Sequence, residues 1–180
     1  MPLMLVRNDI TGMQVDAIVN AANTDLVQGG GVCGAIFAAA GAERMRQACA
    51  PLAPIRTGEA VVTPGFALPA RLVIHTAGPV YDRYSPEQAE RLLRSAYTGS
   101  LQRAVEQGCR SVAFPLLSAG IYGYPKDQAL SVAGDAILQF LQAHGDELDV
   151  YLVVFDQETF SLARNLLGEV IRSADPLSES

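Results

Sequence analysis

The chain has 180 residues, 13 Lys and Arg against 19 Asp and Glu for a formal net charge of -6, and 49% hydrophobic with only 18% charged residues. That length suits a single domain, whose folding hides roughly 70% of the unfolded chain's surface, and the composition is the reverse of a disordered segment's. The acidic balance excludes a basic face for long nucleic acids, and no apolar run reaches the ~18–20 residues that cross a bilayer, so neither partner is expected.

The first residues lack the long apolar stretch of a signal peptide, which points to a cytoplasmic protein. In chain order, short β-branched or apolar runs at residues 3–7 and 15–20 have strand length and composition. An Ala-rich helix is expected over residues 32–50, followed by strands at 59–63 and 71–76. Next comes the clearest helix, whose Ala89, Leu92, Leu93, Ala96, Tyr97, Leu101, Ala104 and Val105 fall at steps of three and four and make one apolar stripe. Ser85 can cap it, Pro86 suits its first position, Gln88 completes a capping box and Gly108 suits its exit.

A strand at 111–116 precedes a helix carrying Leu130, Ala133, Ile137, Phe140 and Leu141 and ending near His144-Gly145. A strand at 149–155 then leads, past a cap at Asp156, into a helix carrying Phe160, Ala163, Leu167, Val170 and Ile171. Strands alternating with helices indicate an α/β layer architecture with a largely parallel central sheet and helices on both faces. One domain over residues 1–174 is expected, with a dispensable polar tail at 175–180.

Three cysteines, Cys33, Cys49 and Cys109, are unpatterned and read as buried thiols rather than a disulfide framework or zinc site. His75 and His144 offer no ligand spacing, so no metal is expected, and His75, inside a strand, reads as a hydrogen-bonded core residue.

In sheets of this kind ligands gather outside the carboxyl ends of the strands. Two loops there stand out. After the second strand, Gly29-Gly30-Gly31 leads into a helix N-terminus, where bare backbone and unpaired N–H groups suit an anion. After the strand at 111–116, Ser118-Ala119-Gly120-Ile121-Tyr122-Gly123 offers a second concavity of backbone amides, and the pair of loops suggests two linked phosphates. Neither matches a nucleoside-triphosphatase loop or a dinucleotide fingerprint.

Four segments carry a resemblance: Asn8-Asp9-Ile10-Thr11, Val15-Asp16-Ala17-Ile18-Val19-Asn20-Ala21-Ala22-Asn23, Gly29-Gly30-Gly31-Val32, and Ser118 to Gly123. In order and spacing they resemble the macrodomain family, most of all the MacroD-type branch that includes bacterial O-acetyl-ADP-ribose deacetylases. The resemblance implies a three-layer fold and a cleft for ADP-ribose, O-acetyl-ADP-ribose or mono-ADP-ribosylated proteins, with no cofactor. By the same resemblance Asp9 accepts from the adenine amino group, Ile10 flanks the base, and Phe155 and Asp156 complete the adenine end. Gly29, Gly30, Gly31 and Val32 cradle one phosphate, while Ser118, Ala119, Gly120, Ile121 and Tyr122 close over the diphosphate and distal ribose. Asn20 and Ala22 join the ligand-binding set, and Asn23 hydrogen-bonds the distal ribose as a candidate catalytic residue.

Three positions depart from the branch. Cys33 stands where its catalytic aspartate is expected, Gln28 where a glycine is usual, and Phe37 where a histidine is common. A neutral thiol is a poor general base. Two functions therefore stay open at the level of sequence: an ADP-ribosyl hydrolase working through an ordered water, and a non-catalytic ADP-ribose reader.

Overall fold

A computed structural model describes residues 3–145, 147–168 and 171–177. Seven strands form one sheet: β1 (Leu3–Arg7), β2 (Ala17–Ala21), β3 (Ala60–Pro64), β4 (Leu72–Thr76), β5 (Ser111–Phe114), β6 (Asp149–Val154) and β7 (Arg172–Ala174). Their order is β3-β4-β2-β5-β6-β1-β7, parallel throughout except for the antiparallel β3–β4 pair at one edge. The helices are α1 (Gly31–Ala40), α2 (Ala42–Cys49), α3 (Pro86–Glu106), α4 (Lys126–His144) and α5 (Gln157–Leu167).

The two-residue period of the strands sorts their side chains into two cores. Leu5, Val19, Phe114 and Leu152 pack against α3, α4 and α5 on one face. Val6, Ile18, Ala113 and Val153 point the other way, onto α1 and α2. The result is the expected three-layer α/β arrangement, with strands buried on both faces and therefore apolar almost throughout.

Local signals set several boundaries. Ser85 accepts from the Gln88 N–H at 3.2 Å and Gln88 Oε1 accepts from the Ser85 N–H at 3.3 Å, the capping box expected at the start of α3 and worth about 1 kcal/mol. Asp156 caps α5 by accepting from the Thr159 backbone and hydroxyl at 2.9 and 2.8 Å. All three cysteines are free and buried, as expected.

The structure corrects three boundaries. The helix expected over residues 32–50 is two helices, because Gly41 adopts φ 107, outside the helical region, and turns the chain between α1 and α2. The last helix stops at Leu167, so Ile171, though buried, lies beyond it, and Val170 falls outside the described residues. Residues 172–174 are a strand pairing with β1. The expected tail begins at Asp175, whose carboxylate lies 3.3 Å from Arg7 Nη1.

Candidate functional site: a two-lobed cleft

The loops leaving β1, β2, β5 and β6 converge, because these four strands are neighbours in the sheet and run the same way. After β2 the chain makes a tight loop that Asn23 holds shut: its Nδ2 donates to Val27 O at 2.9 Å and its Oδ1 accepts from Val27 N at 3.1 Å. The loop then runs through the glycines into α1. Gly31 opens that helix with φ +56, a left-handed conformation that residues with a Cβ adopt only at a cost. One turn on, a Cβ at Gly34 would sit 2.5 Å from Gly29 O, so a residue without a side chain lets the loop lie against the helix. The N–H groups of Gly31, Val32 and Cys33 have no acceptor within α1 and face outward with its positive dipole end.

The opposite wall follows β5. Buried Tyr97 buttresses it, accepting from Leu117 N at 3.0 Å and donating to Pro115 O at 3.5 Å. Ser118 sits at φ 66 with its Oγ against Gly78, whose missing Cβ makes the room, and Tyr124 N donates to Ser118 O at 3.0 Å.

Between these walls lie two adjoining cavities. One, of about 520 Å³, runs past Asp9, Ile10, Phe155 and Asp156. The other, of about 490 Å³, runs past Asn23, the glycine loop, Cys33 and Tyr122. Gly31, Val32, Pro115, Leu116 and Gly120 line both, so the N-terminus of α1 forms the waist of a two-lobed cleft.

Of the residues singled out from the sequence, Asp9, Ile10, Ala119, Phe155 and Asp156 line the first lobe. Asn23, Gly29, Gly30, Cys33, Ser118, Ile121 and Tyr122 line the second, while Gly31, Val32 and Gly120 stand at the waist. Asn20 and Ala22 are buried and line neither lobe. Sequence reasoning passed over Ala21, Ala35, Pro115, Leu116 and Lys126, which also line the cleft. Small or apolar, the first four carry no chemical signal, whereas Lys126, heading α4 straight after the second loop, could have been found.

Phe155, which the resemblance places at the adenine end, is 68% exposed at the mouth of the first lobe. Asp9 makes the Asx-type turn that its sequence allows, Oδ1 accepting from Thr11 N and Oγ1 at 3.0 and 2.7 Å, yet still lines the lobe. Asp156 stays below the usual carboxylate range: burial works against this, but the two Thr159 hydrogen bonds and the Lys126 charge outweigh it. Burial raises the Tyr122 phenol, and nearby Cys33 adds to the effect, so it is protonated at neutral pH.

Beneath the second lobe runs a buried polar chain. Asn20 Nδ2 lies 3.6 Å from Cys33 Sγ and 3.0 Å from His75 Nδ1, and His75 Nε2 lies 2.9 Å from Thr63 Oγ1. His75 is the hydrogen-bonded core residue expected of it, and burial pushes its pKa down to about 4, so the ring is neutral. Cys49 Sγ, 3.8 Å from the same Nε2, is pushed up to about 11 by burial. Phe37 is buried and meets His75 edge-on at 6.4 Å, contributing packing rather than a titratable group.

Such a site, on a mixed sheet with this strand order, has known counterparts. The family model for the Macro domain matches residues 19–133. An O-acetyl-ADP-ribose deacetylase of Cronobacter sakazakii is 44% identical over 168 residues, covering 92% of this chain and 93% of that protein. The ADP-ribose glycohydrolase MACROD2 of Xenopus laevis is 42% identical over 164 residues, covering 91% of this chain and 39% of that protein. Among solved structures, the Trypanosoma brucei macrodomain in complex with ADP-ribose superposes with a TM-score of 0.85 at 39% identity, covering 93% of this chain and 69% of that one. The chain belongs to the Macro domain family.

Proposed function

We propose that the protein binds ADP-ribose across the two lobes and hydrolyses O-acetyl-ADP-ribose, or mono-ADP-ribose esters on proteins, by attack of an ordered water. The observation that carries this reading is the waist. Two cavities meet where the free N–H groups of α1 face the loop after β5, which suits a ligand with an anionic middle and two bulkier ends. Adenine takes the first lobe, against the exposed Phe155 ring and the carboxylate of Asp9. The diphosphate lies at the waist and the distal ribose in the second lobe, beside Asn23 and Tyr122. The similarity to a deacetylase and a glycohydrolase supports hydrolysis, and positioning alone can lower a barrier by up to ~7–11 kcal/mol in favourable cases.

A second reading, a module that captures ADP-ribose without turning it over, draws on one observation: among the described residues no carboxylate lines the second lobe, where Cys33 occupies the first turn of α1. Calorimetric titration with ADP-ribose, followed by release assays on O-acetyl-ADP-ribose and on an ADP-ribosylated protein, separates the two. Binding with turnover is expected. Binding without turnover leaves the reader, and no binding overturns both.

A further inference from the structure

Cys33 is 6% exposed, lines the second lobe, and has two polar neighbours: Asn20 Nδ2 at 3.6 Å and Val27 O at 3.7 Å. Asn20 Nδ2 faces both Cys33 Sγ and His75 Nδ1, the latter at 3.0 Å. With the amide so placed, the neutral ring accepts at Nδ1, carries its hydrogen on Nε2 and donates to Thr63 Oγ1 at 2.9 Å, and the Thr63 hydrogen is left for Met45 Sδ at 3.3 Å or Pro64 O at 3.2 Å. The second hydrogen of that NH2 faces Cys33 Sγ. Asn20 Oδ1, on the other side of the amide, has no hydrogen-bond partner among the described residues.

We propose that Cys33 is a nucleophile that accepts the acyl group of an ester on the distal ribose, with Asn20 and His75 as positioning residues that keep an N–H donor on its sulfur. The inference rests on the reading that such esters occupy the second lobe, and it names the electrophile that water finally attacks. The thiol first loses its proton to solvent, which ends its bond to Val27 O but leaves the donor from Asn20 in place. The thiolate attacks the acyl carbon; the C–S bond forms, the ester C–O bond breaks, and the ribose oxygen leaves with the proton of Tyr122, which lines the same lobe. Water then cleaves the thioester. Acetate departs, the thiolate is restored, one proton returns to Tyr122 and one goes to solvent, with no oxidant, reductant or metal in the balance.

The test uses the full chain mixed with O-acetyl-ADP-ribose and quenched in acid, with the Cys33 peptide examined by mass spectrometry. A transient acetyl group on Cys33, removed by hydroxylamine, is expected, and Cys33→Ala should deacetylate about tenfold or more slowly while still binding ADP-ribose. Deacetylation by Cys33→Ala at the wild-type rate overturns the nucleophile. Failure of the wild type to bind ADP-ribose in a parallel titration instead overturns the reading beneath it. The positioning roles are read from the split between kcat and KM for deacetylation. His75→Leu should lower kcat severalfold with KM little changed, and His75→Gln, which keeps an acceptor for Asn20, should restore kcat. Thr63→Val, which removes the acceptor for Nε2–H, serves where His75→Leu does not fold. An unchanged kcat in the folded variant overturns the roles of Asn20 and His75.

Discussion

Asn23 spends both ends of its side-chain amide on one residue, Val27, whose carbonyl also lies 3.7 Å from Cys33 Sγ. The two side chains at the far end of the cleft are thus tied to one peptide unit. Asn23→Ala removes two hydrogen bonds and should destabilise the protein by about 1–2 kcal/mol in urea denaturation. It should also weaken ADP-ribose binding by calorimetry, because the glycine loop loses its tether. Wild-type affinity in the folded variant would separate the loop clamp from the ligand.

The Gly31 backbone sets up a paired prediction. Its φ of +56 makes any side chain costly, by roughly 1–2 kcal/mol, while a Cβ there meets nothing within 4 Å. Gly31→Ala should therefore lose stability of that order and keep most of its affinity for ADP-ribose. Gly31→Glu should bear the same strain and also place a carboxylate at the waist, abolishing binding. Equal affinities for the two variants would move the diphosphate elsewhere.

At the other end of the cleft, Phe155 is 68% exposed, so its ring contributes little to folding. Phe155→Ala should leave thermal stability within about 0.5 kcal/mol of wild type and weaken ADP-ribose binding by about tenfold, the loss of one stacked face. ADP alone should show the same loss, since it carries the same base. If affinity does not change, the base does not stack there.

Restoring a carboxylate gives a further contrast. Cys33→Asp places an acid on the first turn of α1, against Asn20 and within reach of the second lobe. Cleavage of esters on the distal ribose should no longer pass through an acyl adduct on residue 33 and should run slower than in the wild type but faster than in Cys33→Ala. A rate no higher than that of Cys33→Ala would show that the lobe is built around sulfur.

His75 gives the fold a pH dependence. Its pKa is pushed down to about 4 in the folded protein and is about 6.5 when exposed, so the unfolded chain binds more protons between those values. Stability is full above the unfolded value and falls as pH drops toward about 4, by something on the order of 3 kcal/mol. Urea midpoints from pH 7 to pH 4 should decline in the wild type and decline less in His75→Gln. Parallel curves would place the acid sensitivity in other groups.

Much of this molecule was legible from its residues, for physical reasons that differ by element. β1 was read to its ends, and the other five expected strands to within two residues, because strands buried on both faces must be apolar throughout. The start of α3 was equally plain, since a capping box with proline is a local signal. β7 was not readable: Arg172, Ser173 and Ala174 are all exposed and pair only along one edge, so no alternation marks them. The break at Gly41 lay hidden in an otherwise helical Ala-rich pattern, because a glycine inside a helix and a glycine between two helices look alike until φ is known. In the cleft, the glycine loops announced themselves. The Asn20–His75–Thr63 chain did not, since it joins β2, β4 and β3 across the sheet and no sequence spacing encodes such a contact.

The place of β1 in the sheet has a consequence for the order in which the molecule is made. β1 lies between β6 and β7, with Leu3 opposite Val150, so it has no strand to pair with until synthesis has passed residue 150. β2, β3, β4 and β5 are contiguous in the sheet and can assemble earlier, and the exits of β2 and β5 line the second lobe. Pairings between residues so far apart in sequence are slow to form. The first lobe, built from the exits of β1 and β6, is therefore completed last, and any ligand that needs both lobes would recognise only finished molecules.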